Sequence, residues 1–216
     1  MAIDSGDPRN TRGGTRDKGP LHPLEHADIL ESVIGIKDGD HVCVLYDYSP
    51  IEQMPAVVEF LKEGLLAGDQ CIYVADETPA GHVLTWLKAE KIDVDAEQAS
   101  GALQVWSRTE WRQPGLLDSI RKAAQVREVV EAAAAAGFRG VRFAVEMTWT
   151  LDPDLSAESI EDWEATSNDL LRGSRIKAMC LYGRKRLASA VVAAGLRTHP
   201  TLLDANGLRA NDQFKS

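Results

Sequence analysis

Residues 41–46, His-Val-Cys-Val-Leu-Tyr, form an apolar run that carries an imidazole, a thiol and a phenol. His41 and Cys43 are two positions apart, so on a strand they share one face. Cys180 and Tyr182 repeat that spacing in a later run. Imidazole and thiolate are zinc ligands, but a zinc site takes about four donors and commonly uses paired Cys-x-x-Cys spacings, which are missing from this chain. With His41, Cys43 and Cys180 one donor short, the simpler reading is buried structural cysteines beside a strand-leading histidine. No metal and no cofactor are expected.

Glu146 ends another apolar run, and a buried carboxyl there needs a partner. Arg108, Arg112 and Arg184 are the candidates. A ligand anchor or remnant catalytic acid and a plain strand-end ion pair both remain open for Glu146. Trp163-Glu164 lies in a helical pattern, where packing beside a solvated neighbour is the plain reading. Arg184-Lys185-Arg186 has the charge to grip an anion, or to form a solvated loop. No Gly-x-Ser-x-Gly elbow and no His-Glu-x-x-His helix is present, so no catalytic residue is assigned.

The loop after Tyr46 narrows the chemistry further. A strand, a loop and an amphipathic helix follow one another here, as they do at the start of a nucleotide-binding α/β domain. A phosphate loop needs glycines, whose successive N–H groups curl around the anion, and a Lys and a Ser/Thr for charge and Mg²⁺. The segment Asp47-Tyr48-Ser49-Pro50-Ile51-Glu52 has no Gly and no Lys. Pro50 has no N–H, and Asp47 and Glu52 would repel an incoming phosphate. The frame of a nucleotide-binding fold is there without its phosphate chemistry.

The chain has 216 residues, is 44% hydrophobic and has a formal net charge of -9 with a pI near 5.1. An acidic chain without a basic stripe argues against direct nucleic-acid binding. No apolar run approaches the roughly 20 residues of a membrane span, and the N-terminus has no secretory pattern. Cys43, Cys71 and Cys180 all lie in apolar runs, as expected for reduced, buried thiols in a cytoplasmic protein. Residues 1–22 are polar and rich in Gly and Pro and read as a disordered tail, followed by one domain over 23–208 and a C-terminal tail over 209–216.

Within that domain, strands are expected at 41–46, 71–75, 103–106, 141–146 and 176–182, with an edge strand at 199–203. Helices alternate with them. One carries Met54, Val57, Leu61 and Leu65 and stops at Gly68; the next runs from Pro79 through Leu87. A long third helix is expected to turn Leu116, Leu117, Ile120, Ala123, Ala124, Val130 and Ala134 inward and to end at Gly137. The fourth starts at Ser156 and carries Ile160 and Trp163, and a short last one spans Leu187 to Ala194. This alternation implies an α/β fold, a mostly parallel sheet flanked by helices on both faces. Ligands of such sheets bind at the strands' carboxyl ends, where aromatic walls with few polar anchors suit a small molecule.

Several strings then resemble the MEDS sensory family (methanogen/methylotroph, DcmR-type). They are Asp40-His41-Val42-Cys43-Val44-Leu45-Tyr46, Met147-Thr148-Trp149, Trp163-Glu164, Cys180-Leu181-Tyr182 with its basic followers, and Arg197-Thr198-His199-Pro200. They occur in family order over roughly residues 25–203. Gly183 departs from the pattern, standing where an acidic residue is expected. The resemblance implies a RecA/KaiC-like three-layer domain lacking Walker motifs, and a sensory role in prokaryotic signal transduction or transcriptional regulation, with a small hydrocarbon-derived ligand. It also implies that strands one, four and five are neighbours. On that basis His41, Cys43, Tyr46, Glu146, Trp149, Cys180 and Tyr182 are expected to surround a pocket at the carboxyl edge. Trp163, Glu164 and Arg184 join them as candidate ligand-binding residues. A small-molecule ligand, a signalling partner protein and a homo-oligomer are the partners expected. A degenerate P-loop ATPase using Glu146 and a ligand-free interaction module are the competing readings.

Overall fold

The computed structural model describes residues 31–112 and 117–215. The expected tail over 1–22 and the inward Leu116 lie outside the described residues. The strands are β1 (His41–Tyr46), β2 (Gln70–Ala75), β3 (Leu103–Ser107), β4 (Val141–Glu146), β5 (Ile176–Gly183), β6 (Thr201–Asp204) and β7 (Gly207–Ala210). The helices are α1 (Met54–Ala67), α2 (Ala80–Ala89), α3 (Val94–Ala99), the single turn α4 (Arg108–Trp111), α5 (Ser119–Ala135), α6 (Ala157–Leu171) and α7 (Ser189–Thr198).

Seven strands form one sheet in the order β3-β2-β4-β5-β1-β6-β7. All neighbouring pairs are parallel except β6 and β7. Strands β4, β5 and β1 are adjacent, as expected. Because side chains alternate along a strand, the central strands feed two cores. Val42, Val44, Tyr46, Cys71, Tyr73, Ala144 and Leu181 pack on the side that also holds buried residues of α1 and α2. Cys43, Leu45, Phe143, Val145, Cys180 and Tyr182 pack on the other, with residues of α5, α6 and α7. Both faces are covered, which accounts for strands that are apolar throughout.

Helix ends follow local chemistry. Gly68 stops α1 at φ 80°, a left-handed conformation that glycine adopts without steric cost. Ser156 caps α6 through the N–H of Ser159, and Asp118 caps α5 through the N–H groups of Ile120 and Arg121.

Three expectations are corrected. The face of α5 is only partly as read: Ala123 is buried and Val130 packs against the core, but Ile120 is 82% exposed and Ala124 and Ala134 face solvent, while Lys122, Val126 and Ala133 are buried. The inward lysine has a buried partner: its amine donates to the Trp111 carbonyl and lies 3.4 Å from the centroid of the Trp111 ring. The strand at the chain's end is not an edge, because β7 pairs outside β6. The ordered fold also passes residue 208: β7 runs to Ala210, and buried Asn211 donates to the carbonyls of Leu196 and His199, each at 2.7 Å.

Gly195 in α7 lies against the Tyr182 ring, where a Cβ would come within 2.6 Å of the ring. Alanine is favoured over glycine in a helix by up to about 1 kcal/mol, but the fully buried ring has no room to retreat. Gly195→Ala is therefore expected to lower stability by about 1–3 kcal/mol, read by urea unfolding; a stabilised variant would contradict this packing.

Candidate functional site

At the strands' carboxyl edge, the N–H groups that would cradle a phosphate bind the protein's own carboxylates. After β1, Glu52 accepts from the N–H groups of Asp47 at 3.0 Å, Tyr48 at 2.8 Å and Ser49 at 2.9 Å. Burial opposes its ionisation, but these donors and the Arg184 charge outweigh it and hold its pKa below the usual value. After β2, fully buried Glu146 accepts from the N–H groups of Asp76 at 3.0 Å, Glu77 at 2.6 Å and Thr78 at 3.1 Å, while its other oxygen takes the Tyr73 hydroxyl. Glu146 thus anchors a loop by hydrogen bonds, and its partners are not the arginines considered for it. Arg108 pairs with Asp76, Arg112 with Asp152, Arg184 with Asp47 and Arg186 with Glu77. Arg184 and Arg186 after β5 are spent on the protein's own acids.

The ten candidates do not form one pocket at this edge. Tyr46 and Glu146 belong to the α1/α2 side of the sheet, where burial pushes the Tyr46 hydroxyl pKa well up. Gly183 leaves the room that the Tyr46 ring fills: a Cβ there would come within 2.7 Å of it. Arg184 lies in the loop clasp, its backbone N–H bonded to the Tyr46 carbonyl at 2.8 Å. Trp149 is buried in the turn after β4, apart from the cavity described below.

His41, Glu164, Cys180 and Tyr182, by contrast, meet on the opposite face, beneath α6 and α7, and His199 joins them. Cys43 lies on the same face, directly across from Cys180 in the ladder. The Glu164 carboxylate is 1% exposed. It accepts from the Tyr182 hydroxyl at 2.7 Å on Oε1, while Oε2 lies 3.3 Å from His41 Nε2 and 3.8 Å from His199 Nε2. Burial opposes its charge, and His199, His41 and Tyr182 together hold its pKa below the usual range. Burial, reinforced by His41, pushes His199 down to about 3. The thiols of Cys43 and Cys180 are driven up by burial and by Glu164. Residue spacing alone left Glu164 as a solvated neighbour of Trp163 and His199 as a strand lead-in. Only the family strings Trp163-Glu164 and Arg197-Thr198-His199-Pro200 pointed to them.

A small cavity of about 30 Å³ opens beside this cluster, between the sheet and helices α5 and α6. Trp111, Phe143, Met147, Trp163 and Ala178 give it apolar walls, and His41, Glu164 and Cys180 are its polar groups. Trp111 and Trp163 meet edge to face at 6.3 Å, with the Lys122 amine over Trp111. Burial lowers that amine to about 7.

The two edge carboxylates are structural by this geometry. Glu146→Gln would turn an amide donor toward donors that a carboxylate now serves, and is expected to cost on the order of 3 kcal/mol. Chemical denaturation checks this; a variant within 0.5 kcal/mol of the parent, roughly the range of a neutral surface change, would contradict it.

The comparisons with known proteins agree with this fold. The model of the MEDS family, the methanogen/methylotroph, DcmR sensory domain, matches residues 40–200. The chain is 28% identical over 162 residues to the transcriptional repressor DcmR of Methylorubrum extorquens, covering 74% of this chain and 58% of that protein. It therefore spans less than two thirds of that relative's length. Among solved structures, it is similar to the flagellar accessory protein FlaH of Methanocaldococcus jannaschii, with TM-score 0.54, 15% identity, and 84% of this chain and 77% of that one covered. It is also similar to an uncharacterised protein of Pyrococcus horikoshii solved with an unknown peptide, with TM-score 0.57, 14% identity, and 86% and 88% covered. These likenesses are of fold, and they place the sheet among RecA/KaiC-like folds. With 161 consecutive residues matched, the chain belongs to the MEDS family of sensory domains.

Proposed function

We propose that this chain is a small-molecule-sensing domain of a signalling or transcriptional regulator, and that its ligand enters the cavity between the sheet and helices α5 and α6. The observation that carries the reading is that cavity: aromatic and aliphatic walls closed on one side by His41, Glu164 and Cys180. Few polar anchors in an apolar enclosure suit a small, weakly polar organic molecule, and the volume limits it to a few heavy atoms. The family's description as a sensory domain supports the role, and the similarity to a transcriptional repressor supports a regulatory output. The output passes through a protein partner.

The competing reading, a degenerate nucleotide hydrolase, is disfavoured by the two filled anion cradles. Glu52 and Glu146 already occupy the backbone donors that a phosphate would need, and no lysine stands ready in the β1 loop. Calorimetric titration with Mg-ATP is expected to give no binding in the micromolar range, and micromolar affinity would restore the hydrolase reading.

The ligand is sought among one- to three-carbon alcohols, aldehydes and halides by thermal shift. A ligand at about 100 times its Kd stabilises the domain by ~2.7 kcal/mol. Ala178→Val narrows the cavity without a polar change, and is expected to abolish the shift while the variant stays folded. A shift of equal size in the parent and in Ala178→Val would place the ligand elsewhere.

A further inference from the structure

The cluster on the cavity wall has a hydrogen-bonding defect. The buried Thr198 carbonyl accepts from Asn168 Nδ2 at 2.6 Å, which turns Asn168 Oδ1 toward His41 Nδ1 at 3.0 Å. An amide oxygen only accepts, so Nδ1 of His41 bears the proton, and in the neutral ring Nε2 presents a lone pair. His199 Nδ1 faces the Gly195 carbonyl at 2.7 Å, so its Nε2 also presents a lone pair. Glu164 Oε1 is taken by the Tyr182 hydroxyl, and Oε2 points at both imidazoles. Three acceptors therefore converge. The Cys180 thiol, 3.5 Å from His41 Nε2, can serve one of them. Among the described residues, Glu164 Oε2 and His199 Nε2, both fully buried, have no hydrogen-bond partner. Leaving such atoms unserved is costly.

A cation removes the defect. We propose that His41 Nε2, Glu164 Oε2, Cys180 Sγ and His199 Nε2 form a binding site for a divalent transition metal of the zinc type. The four atoms lie within 4.8 Å of one another. Three of the separations are 3.3 Å, 3.5 Å and 3.8 Å. Tetrahedral zinc with bonds of about 2.0–2.3 Å sets its ligand atoms roughly 3.3–3.8 Å apart. The outer partners are also those of a built site. Each imidazole donates its rear N–H to an oxygen and the carboxylate's rear oxygen is hydrogen-bonded, which fixes tautomers and aims donors inward. Binding transfers the thiol proton to solvent and leaves a thiolate on the metal, so one proton is released per ion. The mixed nitrogen, oxygen and sulfur donors select zinc, cobalt or ferrous iron over magnesium and calcium.

The metal site stands without the sensing reading. One consequence rests on that reading: His41, Glu164 and Cys180 also line the cavity, so a ligand's donor atom there reaches the metal as a fifth ligand.

The test is the metal content of the full chain, expressed with zinc or with cobalt in the medium and measured by elemental mass spectrometry. One ion per chain is expected. The cobalt form should show the intense visible bands of tetrahedral Co²⁺ and a thiolate-to-cobalt charge-transfer band. Cys180→Ser should lose the charge-transfer band, His199→Gln should lose at least tenfold in affinity, and Cys43→Ser should keep both ion and spectrum. Circular dichroism shows that each variant is folded. Less than 0.1 ion per chain in both preparations would overturn the site, as would a spectrum unaffected by Cys180→Ser. If Cys180→Ser does not fold, the spectrum of His199→Gln decides. One ion without any response to small organic molecules would sink the sensing reading alone; a ligand response in a metal-free chain would sink the metal site alone.

Discussion

The structure turns on one buried charge. Glu164 projects from α6 into the core beneath the sheet, where an uncompensated carboxylate would cost several kcal/mol. The Tyr182 hydroxyl on β5 donates to one of its oxygens, while His41 at the start of β1 and His199 just after α7 stand against the other. That requirement ties α6 and α7 to the two central strands. It also reaches outward, because a tyrosine held there forbids a side chain at Gly195, and His199 keeps its orientation through the Gly195 carbonyl of the same helix turn. Asn168, one turn after Glu164 on α6, holds His41 and the end of α7 at once. The polar interior is a connected network, and its members fix each other's geometry.

The carboxyl edge uses carboxylates differently. There the anions satisfy backbone N–H groups that a nucleotide-binding sheet reserves for phosphate, one glutamate after β1 and one at the end of β4. Four arginine–acid pairs then close the loops over them. Fold and chemistry have separated: the parallel sheet and its crossovers are retained, while the region that such sheets use for ligands is filled by the chain itself. The polar cluster and the cavity lie on the flank beneath α5, α6 and α7 instead.

The strands were readable because each is a short apolar run bounded by turn residues, and the period of two correctly put Cys180 and Tyr182 on one face, with His41 and Cys43 likewise. The segregation of Tyr46 and Glu146 to the opposite face follows from the same period, yet the strand-edge rule drew all of them into one pocket. Part of the buried face of α5 was missed because Lys122 reads as a surface charge, whereas the Trp111 carbonyl and ring give its amine a buried partner. Glu164 was a candidate only through the family resemblance, because helix spacing cannot tell that its turn faces a tyrosine and two histidines some 18 to 123 positions away. β7 is four residues with a charged and an exposed position, too short to show alternation. Contacts distant in sequence decide these cases, and local pattern does not encode them.

The central claim is that both imidazoles present unprotonated Nε2 atoms to the Glu164 carboxylate. Nitrogen-15 NMR of the His41 and His199 rings, assigned through His41→Gln and His199→Gln, measures this directly in the full chain. The account predicts both rings as Nδ1–H tautomers at neutral pH, with Nε2 bare or shifted by a bound metal. An Nε2–H on either ring, or an imidazolium at neutral pH, would contradict it.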